Sequence, residues 1–167
     1  MTSSVRLAAI DSAESAEALL AVAVAEADPA DVMPPVAGPP GWTAARRAAF
    51  RAFHRLFFQG LAGPHRTIMF GVVADGHLVG MIRMRRSGAD SVETGMWLGR
   101  SARGRGIGSA ALRALVAEAA AAGARTVVAE TTSDNHAALA ALRRCGALLT
   151  ADPTSGKVVA VIAVPMA

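Results

Sequence analysis

Apolar residues along this chain fall into two periods, and the points where one gives way to the other mark its elements. Val5 to Ile10 alternates loosely and reads as a first strand. Asp11-Ser12 then offers a helix cap, with Glu14 and Glu17 in the early turns. Leu19, Leu20 and Val24 recur on one side, so the spacing predicts a helix to about Ala27. A second helix is predicted from Trp42-Thr43 to about Gln59, stopped by Gly60, with Phe50, Phe53, Leu56 and Phe57 as its buried stripe. Arg47, Arg51 and Arg55 recur on it at i, i+4 spacing and read as a solvated face.

Strand periodicity takes over at Thr67 to Ala74 and His77 to Arg85, joined by Asp75-Gly76, a tight-hairpin signal, and continues at Ser91 to Leu98. Helical spacing returns from Ser109 to Ala122 through Leu112, Leu115, Val116 and Ala119, and Gly123 ends it. Thr126 to Thr132 is a strand, and Asn135 to Arg144 a helix with Asp134 as its cap and Gly146 beyond its end. Ala147 to Thr150 and Lys157 to Val164 form a closing hairpin through Asp152-Pro153-Thr154-Ser155-Gly156. The stretch 28–41 stands apart: Pro29, Pro34, Pro35, Pro39, Pro40, Gly38 and Gly41 predict a loop without regular structure, long enough to suggest a function. The order predicts one α/β domain over 1–167, a mixed, mostly antiparallel sheet of six to seven strands flanked by about four helices.

Composition narrows the class. Hydrophobic residues make up 53% of the chain but aromatics only 4%, so the core must be built from Ala, Val, Leu, Ile and Met. No apolar run approaches the ~20 residues of a membrane span, and the start Met1-Thr2-Ser3-Ser4-Val5-Arg6 lacks a signal peptide's apolar block. A cytoplasmic protein, monomer or homodimer, is the expectation. The lone Cys145 excludes an intrachain disulfide, and no cluster has metal-ligand spacing, so no metal is expected. A net charge of +4 permits nucleic acid as a partner, but no interleaving of aromatic and basic residues supports it. A polyanionic small molecule uses the same charge more economically.

The run Arg103-Gly104-Arg105-Gly106-Ile107-Gly108, followed by Ser109, sits between Met96-Trp97-Leu98 and a predicted helix. Three glycines let the backbone approach a ligand closely, and a helix start presents unpaired N–H groups and the positive end of its dipole. Arg103 and Arg105 add fork-shaped cationic donors, and the whole reads as a pyrophosphate cradle. Counted from Gly104 and Gly106, a dinucleotide fingerprint would need glycine where Ser109 stands. A phosphate-binding NTPase loop needs a lysine, and the only one is Lys157. What the run matches is Arg-x-x-Gly-x-Gly at Arg103, Gly106 and Gly108. That resembles the acyl-CoA pyrophosphate loop of the GNAT superfamily of N-acetyltransferases. The wider stretch from Glu93 to Arg103 is most similar to the branch that includes the ribosomal-protein alanine acetyltransferases.

The resemblance implies acetyl-CoA as cosubstrate, its pyrophosphate on Arg103 through Ser109. It implies that the backbone of Met96, Trp97 and Leu98 pairs with the pantetheine arm, and that a freed N–H near Leu98 faces the thioester oxygen. The helix opening Asn135-His136 is similar to the family's Asn-led helix, so Asn135 would contact the cofactor arm or a water. Two positions depart from the pattern: the tyrosine that often protonates the thiolate is Leu142, and the aromatic after the helix-ending glycine is Ala147. The candidate base is Glu93, on the strand leading to the thioester, with Glu130 on the neighbouring strand second, and His136 is a further proton carrier. Cys145 reads as a buried, inert thiol. The expected activity is acetyl transfer to a primary amine by direct attack in a ternary complex, the acceptor being a small-molecule amine or a protein N-terminus. A non-catalytic acyl-CoA-binding or regulatory module is the alternative; it would retain CoA and release no thiol.

Overall fold

The computed structural model describes residues 2–166. Its elements are β1 (Val5–Ala9), α1 (Ala13–Glu26), α2 (Pro29–Val32), α3 (Ala44–Arg55), β2 (Thr67–Ala74), β3 (His77–Arg86), β4 (Ser91–Leu98), α4 (Ile107–Ala121), β5 (Thr126–Thr132), α5 (His136–Arg144), β6 (Leu148–Ala151) and β7 (Lys157–Ala163). Local chemistry sets the boundaries. The Ser12 hydroxyl accepts the Ser15 N–H at 3.1 Å and the Ser15 hydroxyl accepts the Ser12 N–H at 3.1 Å, a reciprocal cap that starts α1. Asp75 and Gly76 take φ of 49° and 81°, the left-handed pair that lets two residues join β2 to β3 in line with the strands' twist.

The strands form one sheet in the order β1-β2-β3-β4-β5-β7-β6, antiparallel throughout except between β4 and β5. Period-2 alternation divides its side chains between two cores. On one face Ile82, Met84, Val92, Val127, Ala160 and Ile162 pack against Ile107, Leu112 and Leu115 of α4 and Leu142 of α5. On the other, Met69, Met81 and Trp97 meet Leu19, Leu20 and Ala23 of α1 and Phe50 of α3. Helices α1 to α3 thus cover only the β1–β4 half of their face.

Helix α4 begins at Ile107, two residues before the expected Ser109, because Gly106 is its cap, and three further boundaries differ from expectation. The proline-rich stretch is not wholly irregular: Pro29 occupies the first turn of α2, where its fixed φ helps and its missing N–H is not needed. The rest of that stretch is tied down by one side chain. The Arg46 guanidinium donates to the carbonyls of Val36 (2.9 and 3.2 Å), Gly38 (3.3 Å), Gly41 (2.8 Å) and Pro39, while the Trp42 indole N–H reaches the Ala27 carbonyl at 2.9 Å. Helix α3 ends at Arg55 instead of near Gln59, its backbone tightening into i→i+3 turns from Leu56 to the positive-φ Gly60. At α5 the cap is Asn135, not Asp134. The Asn135 side chain accepts the Ala138 N–H at 3.2 Å, and Asp134 instead takes the Thr132 hydroxyl. The arginine row behaves as a solvated face, with Arg51 held by both carboxylate oxygens of Glu17 at 2.7 and 2.9 Å.

His54 is fully buried in α3, its ring tilted over Phe50 at 4.1 Å, with Nδ1 2.9 Å from the Phe50 carbonyl and no partner for Nε2. Burial depresses its pKa from 6.5, outweighing the carbonyl's opposite pull. The unfolded chain therefore takes up a proton first. The stabilisation is whole above pH 6.5 and is lost as pH falls from there through the folded value, at about 1.4 kcal/mol for each unit of depression. Thermal unfolding between pH 7 and pH 5 should show this loss, and His54→Leu should flatten it; identical pH dependence in both proteins would refute the assignment.

Candidate active site

The one parallel pairing is short. It runs from Ser91 opposite Thr126 to Thr94 opposite Ala129 and stops there, although β4 continues to Leu98 and β5 to Thr132. Beyond that point each strand keeps only its antiparallel partner: β3 follows β4 to Gly80 opposite Leu98, and β7 follows β5 to Lys157 opposite Thr132. The sheet opens between them. Gly80 shows why β4 leans away. A Cβ at that position would lie 2.2 Å from the Trp97 carbonyl oxygen and 2.9 Å from the Leu98 Cα, so only glycine lets β3 draw the end of β4 this close.

The Gly99 N–H donates to the Val79 carbonyl at 2.8 Å, which places the odd-numbered backbone groups of β4 toward β3. Met96 and Leu98 therefore turn their backbone groups into the opening. The Leu98 carbonyl there receives the Arg103 Nε at 3.1 Å, joining the split strand to the loop that follows.

That loop leads into α4 with its amides bare. Gly104 and Gly106 have φ of 72° and 76°, a conformation that side chains other than glycine's rarely adopt, and a Cβ on either would meet nothing within 4 Å. Gly106 is the N-cap, so no side chain satisfies the first turn, and the helix ladder begins with the Ala110 N–H donating to the Gly106 carbonyl at 3.2 Å. The N–H groups of Ile107, Gly108 and Ser109 remain for an outside acceptor, at the positive end of a 15-residue helix. Gly108 brings this helix start against the opening: a Cβ there would sit 3.3 Å from the Met96 Cε and 3.8 Å from the Leu98 Cδ1. Arg105 lies 3.9 Å from Asp75.

The loop is braced from the far side of the sheet. Glu26, at the end of α1, accepts the Ser101 N–H at 3.0 Å and its hydroxyl at 2.8 Å, and these two bonds hold its carboxyl below the usual range. Arg100 pairs with Asp28 at 3.0 Å. A Cβ on Gly99 would come within 2.9 Å of the Glu26 Cβ, so this glycine serves a close approach, while Gly95 lies under the Arg83 guanidinium and forms no bulge.

On the α1–α3 side, the opening adjoins a cavity of about 270 Å³. Gly95, Met96 and Trp97 form its strand wall, Phe53, Met69 and Met81 its apolar floor, and Arg83 and Asp31 its charged groups. The Trp97 indole N–H and the Arg83 Nε are buried without partners. Burial lowers the Arg83 pKa, with the neighbouring Arg85 adding to the effect and Glu93 opposing it, yet an arginine stays charged.

The remaining candidates disperse around this centre. Glu93 lies inside the parallel ladder, opposite Val128, with its carboxylate on Arg85. Glu130 is the first β5 residue past the ladder, on the same face as Glu93, and Lys157 stands 3.3 Å away. Asn135 and His136 are exposed at the start of α5, beyond the end of β5. Leu142 is only 5% exposed and fills the core beneath α4. The Cys145 thiol is 3.6 Å from the Ser109 carbonyl, and burial raises its pKa. Sequence reasoning missed Gly80, Asp31 and Arg83. For Arg83 a signal existed: it is the one charge interrupting the apolar run Leu78 to Met84.

Comparison with solved structures shows the fold in proteins of low identity. An N-acetyltransferase from Campylobacter jejuni, PseH, crystallised with acetyl coenzyme A, superposes with TM-score 0.69 at 13% identity, covering 97% of this chain and 100% of that one. The microcin C7 self-immunity acetyltransferase MccE, in complex with acetyl-CoA and AMP, gives 0.69 at 16% identity over 96% and 92% of the two chains. RimL, the ribosomal L7/L12 α-N-protein acetyltransferase in complex with coenzyme A, gives 0.68 at 20% over 96% and 94%. Among curated protein sequences nothing matches. The sequence profile of the acetyltransferase (GNAT) family matches residues 37–147, from the proline-rich loop through the split strands and the bare helix start to the end of α5. The chain belongs to the acetyltransferase (GNAT) family.

Proposed function

We propose that this protein moves an acetyl group from acetyl-CoA to a primary amine by direct attack within a ternary complex. The observation that carries the reading is the uncapped start of α4, with its two left-handed glycines open to solvent, set against the unpaired end of β4. The donor set suits the cosubstrate. The amides of Ile107, Gly108 and Ser109 with Arg103 and Arg105 match a pyrophosphate, and the Met96 and Leu98 backbone offers a free strand edge to the amide-bearing pantetheine arm. The Leu98 N–H, whose carbonyl is already engaged by Arg103, is the donor placed to steady charge on the thioester oxygen. Asn135, spent on its own helix cap through its oxygen, has its amide N–H groups left for the arm.

The amine enters from the cavity side and meets the carbonyl at Met96 and Trp97. Continuing the parallel register one step places Glu130 across the opening from Gly95, so we assign Glu130 as the proton acceptor, acting through water. Lys157 stands 3.3 Å from its carboxylate. Glu93, one pleat deeper, has its carboxylate held by Arg85. His136, exposed beside Asn135, can pass protons to solvent. No group of the protein need take the acetyl group. The sole cysteine is turned to a backbone carbonyl with a raised pKa, and a thiol without its thiolate is a poor nucleophile.

Calorimetry on the purified protein tests the cradle. Gly106→Val should weaken acetyl-CoA binding by ~100-fold or more, because the branched side chain enters the phosphate space. Arg103→Gln should weaken it by ~10-fold and reduce its salt dependence. A folded Gly106→Val that binds like wild type refutes the assignment.

Steady-state kinetics separates the carboxylates. Glu130→Gln should lower kcat by ~100-fold with the KM for acetyl-CoA unchanged, and Glu93→Gln by less than ~10-fold; the reverse order would move the role to Glu93. With no tyrosine in the chain and Leu142 buried, water protonates the departing thiolate. The rate should therefore rise with pH to a plateau, and a fall above pH ~9 in folded protein would reveal an acid this scheme lacks.

A further inference from the structure

The acceptor face of the sheet carries a row of charges that does not balance. Arg85 and Glu93 stand opposite each other across β3 and β4 and neutralise one another. Glu130 has Lys157. Arg83, between these pairs, has no carboxylate partner among the described residues, and its Nε is buried without an acceptor. It is not turned out to water as a surface arginine would be. It lines the cavity, lying flat over Gly95, where even a single methyl group would be 3.4 Å from its Nη2. A partly buried cation without a counter-ion costs stability and is retained in a binding wall when a ligand supplies the missing charge.

We propose that Arg83 anchors a carboxylate of the acceptor, and that the substrate is therefore a small amino carboxylate with an apolar side chain. This rests on the acetyl-transfer reading above and names its acceptor class. The guanidinium end of Arg83 lines the cavity, and its planar set of donors matches the two oxygens of a carboxylate. Gly95 under that guanidinium is on the same strand as Met96 and Leu98, whose backbone edge faces the acyl arm. Acid and amine then belong to one small molecule, as in an α- or β-amino acid. The side chain has Phe53, Met69, Met81 and Trp97 to lie against. The volume of about 270 Å³ falls below the ~300–1,000 Å³ of pockets that hold drug-sized ligands, and suits a molecule of this size. Asp31, the cavity's other charged group, gives the incoming ammonium a complementary charge.

The test compares matched acceptors on the full chain: leucine, methionine, phenylalanine and β-alanine, each beside its carboxamide, with acetyl-CoA as donor and product identified by mass. Wild type should prefer the acid over its amide by ~100-fold or more in kcat/KM. Arg83→Gln should collapse that ratio to within ~5-fold while the Kd for acetyl-CoA stays unchanged, and Arg83→Lys should keep part of it. Arg83→Met, relieved of an unpaired charge, should melt higher than wild type in the absence of acceptor, a gain that a merely structural arginine would not give. An unchanged ratio in Arg83→Gln, a preference for the amides or for a peptide N-terminus, or acetyl-CoA binding with none of the acids acetylated overturns the inference and leaves the acetyl-transfer reading standing. Failure to bind acetyl-CoA overturns that reading instead.

Discussion

Everything functional in this molecule depends on a parallel ladder that stops after four residue pairs. In a sheet buried on both faces, a strand normally continues beside its neighbour until one of them ends, because each unpaired backbone group is costly away from water. Here β4 gives up β5 while both are still extended, and β3 and β7 hold them apart. The force that wins is close approach at Gly80. With no side chain there, β3 can draw Trp97 and Leu98 inward and satisfy one edge of β4 fully, leaving the other edge exposed to a gap. A fold that keeps an unsatisfied edge in its middle leaves that edge open to a partner from outside.

The second element of the site is complementary in sign and origin. The start of α4 is left without a capping side chain, and glycine at the cap position is what prevents one. Bare amides, two arginines and a dipole end at one point form a field that an isolated fold gains nothing from. Bracing from Glu26 and Asp28, which reach across from the opposite face, keeps this loop in place. Thus α1, which touches no reacting group, fixes the position of the cradle. Around the acceptor side the same principle appears in reverse: charges are cancelled in pairs until one guanidinium remains.

Much of this was legible in the sequence, and the parts that were not share a cause. The helix and strand order, the Asp75-Gly76 turn and the glycine-arginine run are local, since each rests on residues within one turn or one hairpin. The choice of Asn135 over Asp134 as a cap depends on backbone angles that both residues tolerate, so sequence alone could not decide it. Gly80 looked like any strand glycine, because its meaning lies in the strand it touches, seventeen residues further along. Arg83 and Asp31 are brought together by the packing of α2 under β3, and no spacing between positions 31 and 83 encodes that. Leu142 shows the converse. It stands where the resemblance puts a proton-donating tyrosine, and its apolar side chain goes into the core.

Arg46 carries a consequence for how the molecule moves. Because one guanidinium gathers four backbone carbonyls between Val36 and Gly41, that segment has no independent parts to fray. It opens as a unit or stays shut, because loss of the Arg46 contacts releases all four carbonyls together. The proline-rich chain is in this sense a latch with a single pin.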